Sequence, residues 1–129
     1  MESHHNTPVE KIQAHLRTAL RTAMKSRDKA AVAGVRSAMA ALANAEAIDV
    51  DPASATGAIE QSPVGVGSTE AARRVLTDAD VRSTLEVELT EREQAAGDYA
   101  ARGDHERADR LRAEAAAVRG VLDQLTGGE

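Results

Sequence analysis

Residues 23–36 read AMKSRDKAAVAGVR, a run that closes one apolar helical repeat and opens another. Before it, Val9, Ile12, Leu16, Leu20 and Met24 recur at steps of three and four, the spacing of one buried helix face. After it, Val32, Val35, Met39 and Leu42 repeat the pattern. Ser26-Arg27-Asp28 separates the two, and Asp28 carries a carboxylate suited to capping the second helix. The run is therefore predicted to be a helix–helix corner. It is also basic: Arg17, Arg21 and Lys25 step by four beside the apolar face, and Arg27 and Lys29 follow across the corner.

Helix signals extend outward from this corner. Thr7-Pro8-Val9-Glu10 has the form of a helix start, with Thr7 as N-cap, Pro8 in the first turn and Glu10 completing a capping box. Gly34 sits inside the second helix, where glycine costs about 1 kcal/mol relative to Ala. A small residue there fits either close approach of another helix or simple tolerance. Beyond Ile48-Asp49 the pattern changes, because Pro52, Gly57, Pro63, Gly65 and Gly67 interrupt any periodicity. Residues 50–76 are expected to form a flexible loop, with a short helical turn near 69–74. Gly65-Val66-Gly67 lacks both the Lys-Ser/Thr ending and the preceding strand of a phosphate loop.

Thr77-Asp78-Ala79-Asp80 opens a third helix, capped by Thr77 and carrying acidic residues where the helix dipole favours them. Val81, Leu85, Leu89, Ala96 and Tyr99 share one side of it. Gly103 is a natural stop, Asp104 a cap for the fourth helix, and Leu111, Ala115, Val118, Leu122 and Leu125 form that helix's apolar repeat. The expected fold class is all-α, with four main helices as two antiparallel hairpins joined by a long flexible loop. The helices fall over about 8–26, 28–48, 78–102 and 105–125. They make one domain over 8–125, between a disordered N-terminus at 1–7 and a tail at 126–129.

Composition narrows the chemistry. A chain of 129 residues suits one domain. Tyr99 is its only aromatic residue, so the core is aliphatic and alanine-rich, which favours packed helices. The absence of Cys removes disulfides, thiolate zinc sites and thiol nucleophiles. No stretch has the roughly 20 apolar residues of a membrane span, and the start lacks a signal-peptide pattern. A cytoplasmic protein without membrane contact is expected.

The net charge of -5 is unevenly divided. Residues 1–36 hold seven Lys or Arg against three Asp or Glu, a balance of +4, leaving -9 on residues 37–129. Such polarity either presents a basic surface to phosphates or holds the acidic helices against the basic ones. Three charged residues also interrupt the apolar stripes. Glu88 and Arg92 fall on the apolar side of the third helix, and Glu46 continues the stripe from Leu42. Charges facing a core need partners, so Glu88 and Arg92 form either a structural latch or part of a ligand site.

AMKSRDKAAVAGVRSAMAALANAEA resembles the N-terminal signature of the GatB/YqeY family, whose Ala-Met-Lys-x-x-Asp-Lys corner is followed by an Arg and an Asn-Ala-Glu-like end. The matching positions are Ala23, Met24, Lys25, Asp28, Lys29, Arg36, Asn44 and Glu46. The resemblance continues at Leu76-Thr77, at Glu88 and Arg92 in a Glu-x-x-x-Arg, at Ala101-Arg102-Gly103, and at the acidic Glu114. It covers residues 9–125. Members of that family commonly carry a second small helical module, and this chain looks like the first module alone. The resemblance links Asp28, Arg36, Glu46, Glu88 and Arg92 as a candidate polar set. It implies kinship with a helical region of the tRNA-dependent amidotransferase, and through it the label of a carbon–nitrogen ligase with glutamine as amide donor. In that enzyme the helical region is associated with tRNA handling, while ATP use and amide transfer occur elsewhere.

The residues themselves argue against independent catalysis. Glutamine hydrolysis needs an activated nucleophile, and Ser26, Ser37 and Ser83 show no adjacent base in the sequence. His4 and His5 lie in the expected disordered terminus, His15 on the first helix and His105 at a helix start. No catalytic residue, metal site or cofactor is expected. The leading expectation is a noncatalytic accessory module associated with tRNA, using Arg17, Arg21, Lys25, Arg27 and Lys29 as phosphate contacts. The alternatives are a module that binds an acidic protein partner and an accessory subunit of a tRNA-dependent amidotransferase.

Overall fold

A computed structural model of the chain describes residues 7–47 and 74–127. They form four helices, α1 (Pro8–Ser26), α2 (Lys29–Ala47), α3 (Asp78–Ala101) and α4 (His105–Gly127). Among the described residues there is no strand, and the fold is an all-α bundle. The expected loop lies outside the described residues apart from Arg74, Val75 and Leu76, as does the expected helical turn apart from Arg74. Those three residues are not helical. The Arg74 backbone N–H donates to the Glu46 carbonyl at 2.7 Å, and Leu76 is fully buried.

Local chemistry accounts for the helix ends. At α1 the Thr7 hydroxyl accepts from the Glu10 N–H at 3.1 Å, and the Thr7 N–H donates to Glu10 Oε1 at 3.0 Å. At α3 Thr77 and Asp80 repeat this reciprocal arrangement at 3.0 and 2.9 Å. Leu76 and Val81, flanking that cap, both enter the core as a hydrophobic staple. The α3–α4 turn uses Gly103 at φ +85, with the Asp104 N–H reaching back to the Tyr99 carbonyl at 2.9 Å. The α1–α2 corner has the same form, but its left-handed residue is Arg27, φ 61 and ψ 36. There the Asp28 N–H donates to the Ala23 carbonyl at 2.9 Å, and Asp28 Oδ1 accepts from the Ala31 N–H at 3.1 Å. Asp28 is thus the cap, as its place in the sequence suggests, and α2 begins at Lys29.

The core is aliphatic, with Ile12, Leu16, Leu42, Leu85, Leu89 and Leu122 among its fully buried side chains. Met24 departs from expectation: it is 52% exposed, while the neighbouring Ala23 is 5% exposed and takes the buried position. The cause is geometric. Each step of four residues rotates a helical row by about 40°, so the row Ile12–Leu16–Leu20–Met24 drifts off the core before its last member.

Gly34 is buried where α4 crosses α2. A Cβ built on it would lie 2.6 Å from the Glu114 carbonyl oxygen and 3.1 Å from that residue's Cα. Backbone meets backbone here, so the glycine serves close helix approach rather than being merely tolerated.

Two predictions arise from this geometry. Gly34→Ala should destabilise the fold by about 2 kcal/mol in urea denaturation despite Ala's better helix propensity, since α4 cannot yield without moving its packed face. An unchanged midpoint would contradict the close approach. The second prediction concerns Asp80, whose carboxyl is held below the ordinary value by the Thr77 N–H first and the Thr77 hydroxyl second, partly opposed by burial, with the Arg74 charge the smallest contribution. A lowered folded pKa gives stability that is complete above the unfolded value of about 3.9 and lost as pH falls through the folded value. Asp80→Asn should therefore flatten the acid limb of the stability–pH curve below about pH 4; an identical limb would refute the assignment.

Candidate nucleic-acid interface

Helix α1 carries Arg17, Arg21 and Lys25 on its exposed surface, and the corner adds Arg27 and Lys29, also exposed. Among the described residues, none of these five cations forms an ion pair. The polar contact seen for their side chains is a 3.4 Å hydrogen bond from Arg21 Nη2 to the Thr18 hydroxyl. Between Glu10 and Glu46 the sole acidic residue is Asp28, and its Oδ1 is occupied in capping α2. The positive charge of the corner is therefore left open to solvent.

Among the described residues, direct ion pairs do not hold the acidic helices against the basic stripe. The interhelical ion pairs among the described residues close the acidic α3–α4 hairpin upon itself: Arg92 with Glu114 at 3.0 Å, and Arg119 with Glu86 at 3.4 Å. They do not tie that hairpin to the basic stripe of α1.

The candidate polar set divides into separate places. Glu88 and Arg92 do meet, at 2.8 Å, with side chains 15% and 14% exposed. Arg92 also donates through Nε to Glu114 Oε1 at 3.0 Å and through Nη1 to the Glu88 carbonyl at 3.3 Å. The Ser37 hydroxyl donates to Glu88 Oε1 at 2.8 Å. One guanidinium thus joins the carboxylates of α3 and α4, and Ser37 ties α2 to them through Glu88. Asp28 is away at the corner as a cap. Arg36 is exposed on α2 and makes no hydrogen bond or ion pair among the described residues. Glu46 lies at the end of α2, lining a cavity of about 470 Å³ together with Glu10, Gln13, Arg17 and Arg74.

Two latch members were not identified as partners from the sequence. Glu114 lies three residues beyond Leu111 and four before Val118, so the spacing that exposed Glu88 as irregular marks it too. Ser37, which shows no adjacent base in the sequence, faces Glu88 across the helices, but Oε1 already accepts from Arg92, and the contact belongs to the latch. Ser26 donates to the Ala23 carbonyl at 3.2 Å, and Ser83, His15 and His105 are exposed. Among the described residues no cluster of three His, Asp or Glu stands close enough to hold a metal ion, and no helix is long and apolar enough to cross a membrane.

Arg92→Leu leaves Glu88 and Glu114 half-buried without their shared cation. It should cost about 3 kcal/mol in thermal or urea unfolding, whereas Ser37→Ala should cost about 1 kcal/mol. Equal, negligible effects would remove the latch as a stabilising element.

No family model matches the chain, and no curated protein or solved structure matches it either.

Proposed function

We propose that the chain is a noncatalytic helical accessory module of GatB/YqeY type that acts in the cytoplasm and docks on RNA, with tRNA as its partner. The phosphate contacts are Arg17, Arg21, Lys25, Arg27 and Lys29. The observation that carries this reading is the exposure of all five cations without an ion-pairing carboxylate among the described residues. Surface cations are usually cheap to pair, and a run left unpaired offers a field to an external polyanion. The resemblance to a family associated with tRNA handling selects RNA from among polyanions.

In this reading the amide-transfer chemistry implied by the resemblance belongs to other subunits of an assembly. The chain's Glu88–Arg92–Glu114 group is a structural latch, and the module supplies binding rather than bond making. An acidic protein would recognise the same corner by charge alone.

Binding to tRNA should weaken steeply with salt, and each of Arg21→Ala and Lys25→Ala should lower the slope of log affinity against log salt by about 1. The measurement is fluorescence anisotropy with labelled tRNA, with polyglutamate as a competitor of equal charge. If tRNA binds no better than polyglutamate at moderate salt, the RNA reading fails. A native partner protein that stays bound after nuclease treatment would favour the acidic-protein reading instead.

A further inference from the structure

We infer that the bound RNA reaches past the basic corner to the α3–α4 turn, where an unpaired base stacks against Tyr99; this rests on the RNA reading above. The ligand class is RNA with an unpaired nucleotide next to the phosphates that meet the corner. Contacts inside the bundle put the two turns at one end. Arg92 reaches Glu114, the residue that Gly34 abuts, while Ser37, further along α2, meets Glu88, earlier on α3. Helix α3 therefore runs against α2, toward the end where α2 begins. At 1.5 Å per residue, Lys29 lies about 7.5 Å beyond Gly34 and Tyr99 about 10.5 Å beyond Arg92, on the same side of the crossing. Packed helices have axes about 8–10 Å apart, so the corner and the ring share one end of the molecule.

The two turns are built alike. In each, an aspartate N–H returns to a carbonyl of the preceding helix at 2.9 Å, Asp28 to Ala23 and Asp104 to Tyr99. In each, that aspartate's Oδ1 caps the next helix, accepting from the Ala31 or the Arg107 N–H. Their surfaces differ. The corner presents Lys25, Arg27 and Lys29, and its one carboxylate, Asp28, is engaged as a cap. The α3–α4 turn mixes signs, because Asp98 and Glu106 are exposed beside Arg102 and Arg107. A run of phosphates is therefore held at the corner and not at the turn.

What the turn offers instead is a ring. Tyr99 is half-buried, with the guanidinium carbons of Arg102 and Arg107 at 4.9 and 5.7 Å from its ring centre. Tyrosine faces and guanidinium planes are both surfaces on which an unstacked base rests. Both arginines are exposed, so a base either joins the stack or displaces one of them. Exposed His105 adds a second ring at the same place. His15, the ring on α1, lies about 120° round that helix from Arg21, off the basic stripe.

The test uses the full chain, whose only tyrosine is Tyr99 and which has no tryptophan, so intrinsic fluorescence reports that ring alone. An unpaired RNA oligonucleotide should quench this emission along the same curve that the anisotropy of a labelled copy gives for binding. A tyrosine amide titrated in parallel corrects for absorbance by the bases. Inorganic polyphosphate, which carries charge but no base, should bind and leave the emission unchanged. Tyr99→Leu should weaken oligonucleotide binding about tenfold, the scale of one stacked base, without altering the salt slope. Lys25→Ala should instead lower that slope by about 0.7. Tyr99→Trp should bind like the natural chain and also be quenched, which separates a lost stack from a misfolded Leu variant. Binding that leaves the Tyr99 emission unchanged, or equal quenching by polyphosphate, would overturn the base contact and leave the RNA reading standing. So would a loss of affinity in His15→Ala as large as that in Tyr99→Leu, which would place the base on α1. Failure of the oligonucleotide to bind at all would overturn both.

Discussion

The approach of α4 to α2 at Gly34 is the constraint on which the rest of the bundle depends. With no side chain between them, the Gly34 backbone and the Glu114 carbonyl lie closer than any Cβ would allow. That contact fixes the height at which α4 crosses, and with it the position of Glu114 opposite Arg92. Three residues along from Gly34, Ser37 completes the other side of the network by bonding Glu88. The latch is thus a consequence of the crossing: its hydrogen bonds form because the backbones are already near. A buried ion pair alone is a weak source of stability. One set by a glycine contact also selects which face of α4 meets the core.

Charge is organised around this crossing in two ways. The α3–α4 hairpin satisfies much of its charge internally, through Arg92 with Glu88 and Glu114 and through Arg119 with Glu86. The α1–α2 pair holds its cations on the outside, with Asp28 occupied at the helix start. Structural electrostatics and any external electrostatics are therefore carried by different helices, and a substitution in the basic stripe leaves the latch untouched.

Much of the fold is legible locally. Thr7 with Glu10, Thr77 with Asp80, and Gly103 each announce a helix boundary through interactions spanning only a few residues. The apolar repeats place Leu16, Leu42, Leu89 and Leu122 in the core for the same reason. Met24 escapes the three-four count because a row of fours rotates slowly off the core. The polar set divides for a different reason. Glu46, Glu88 and Arg92 interrupt the apolar stripes, and the resemblance adds Asp28 and Arg36, but which of the five meet is decided by where helices cross. That information resides in the Gly34–Glu114 contact between distant segments. The spacing of Glu88 and Arg92 on one helix makes their pairing readable; spacing marks Glu114 as irregular too, but not as the partner of an arginine on another helix.

The unpaired basic stripe has one more consequence, for the energetics of the fold itself. Like charges lined along α1 and around its corner repel one another, so α1 and α2 carry a self-repulsion that no carboxylate among the described residues relieves by direct pairing. Salt screens that repulsion and steadies the helix pair, yet the same screening weakens attraction to a polyanion. A polyanion that binds the corner does both tasks at once, supplying the counter-charge and stabilising the folded state by mass action. Bound charge of the opposite sign at the corner would thus add to the stability of α1 and α2 themselves.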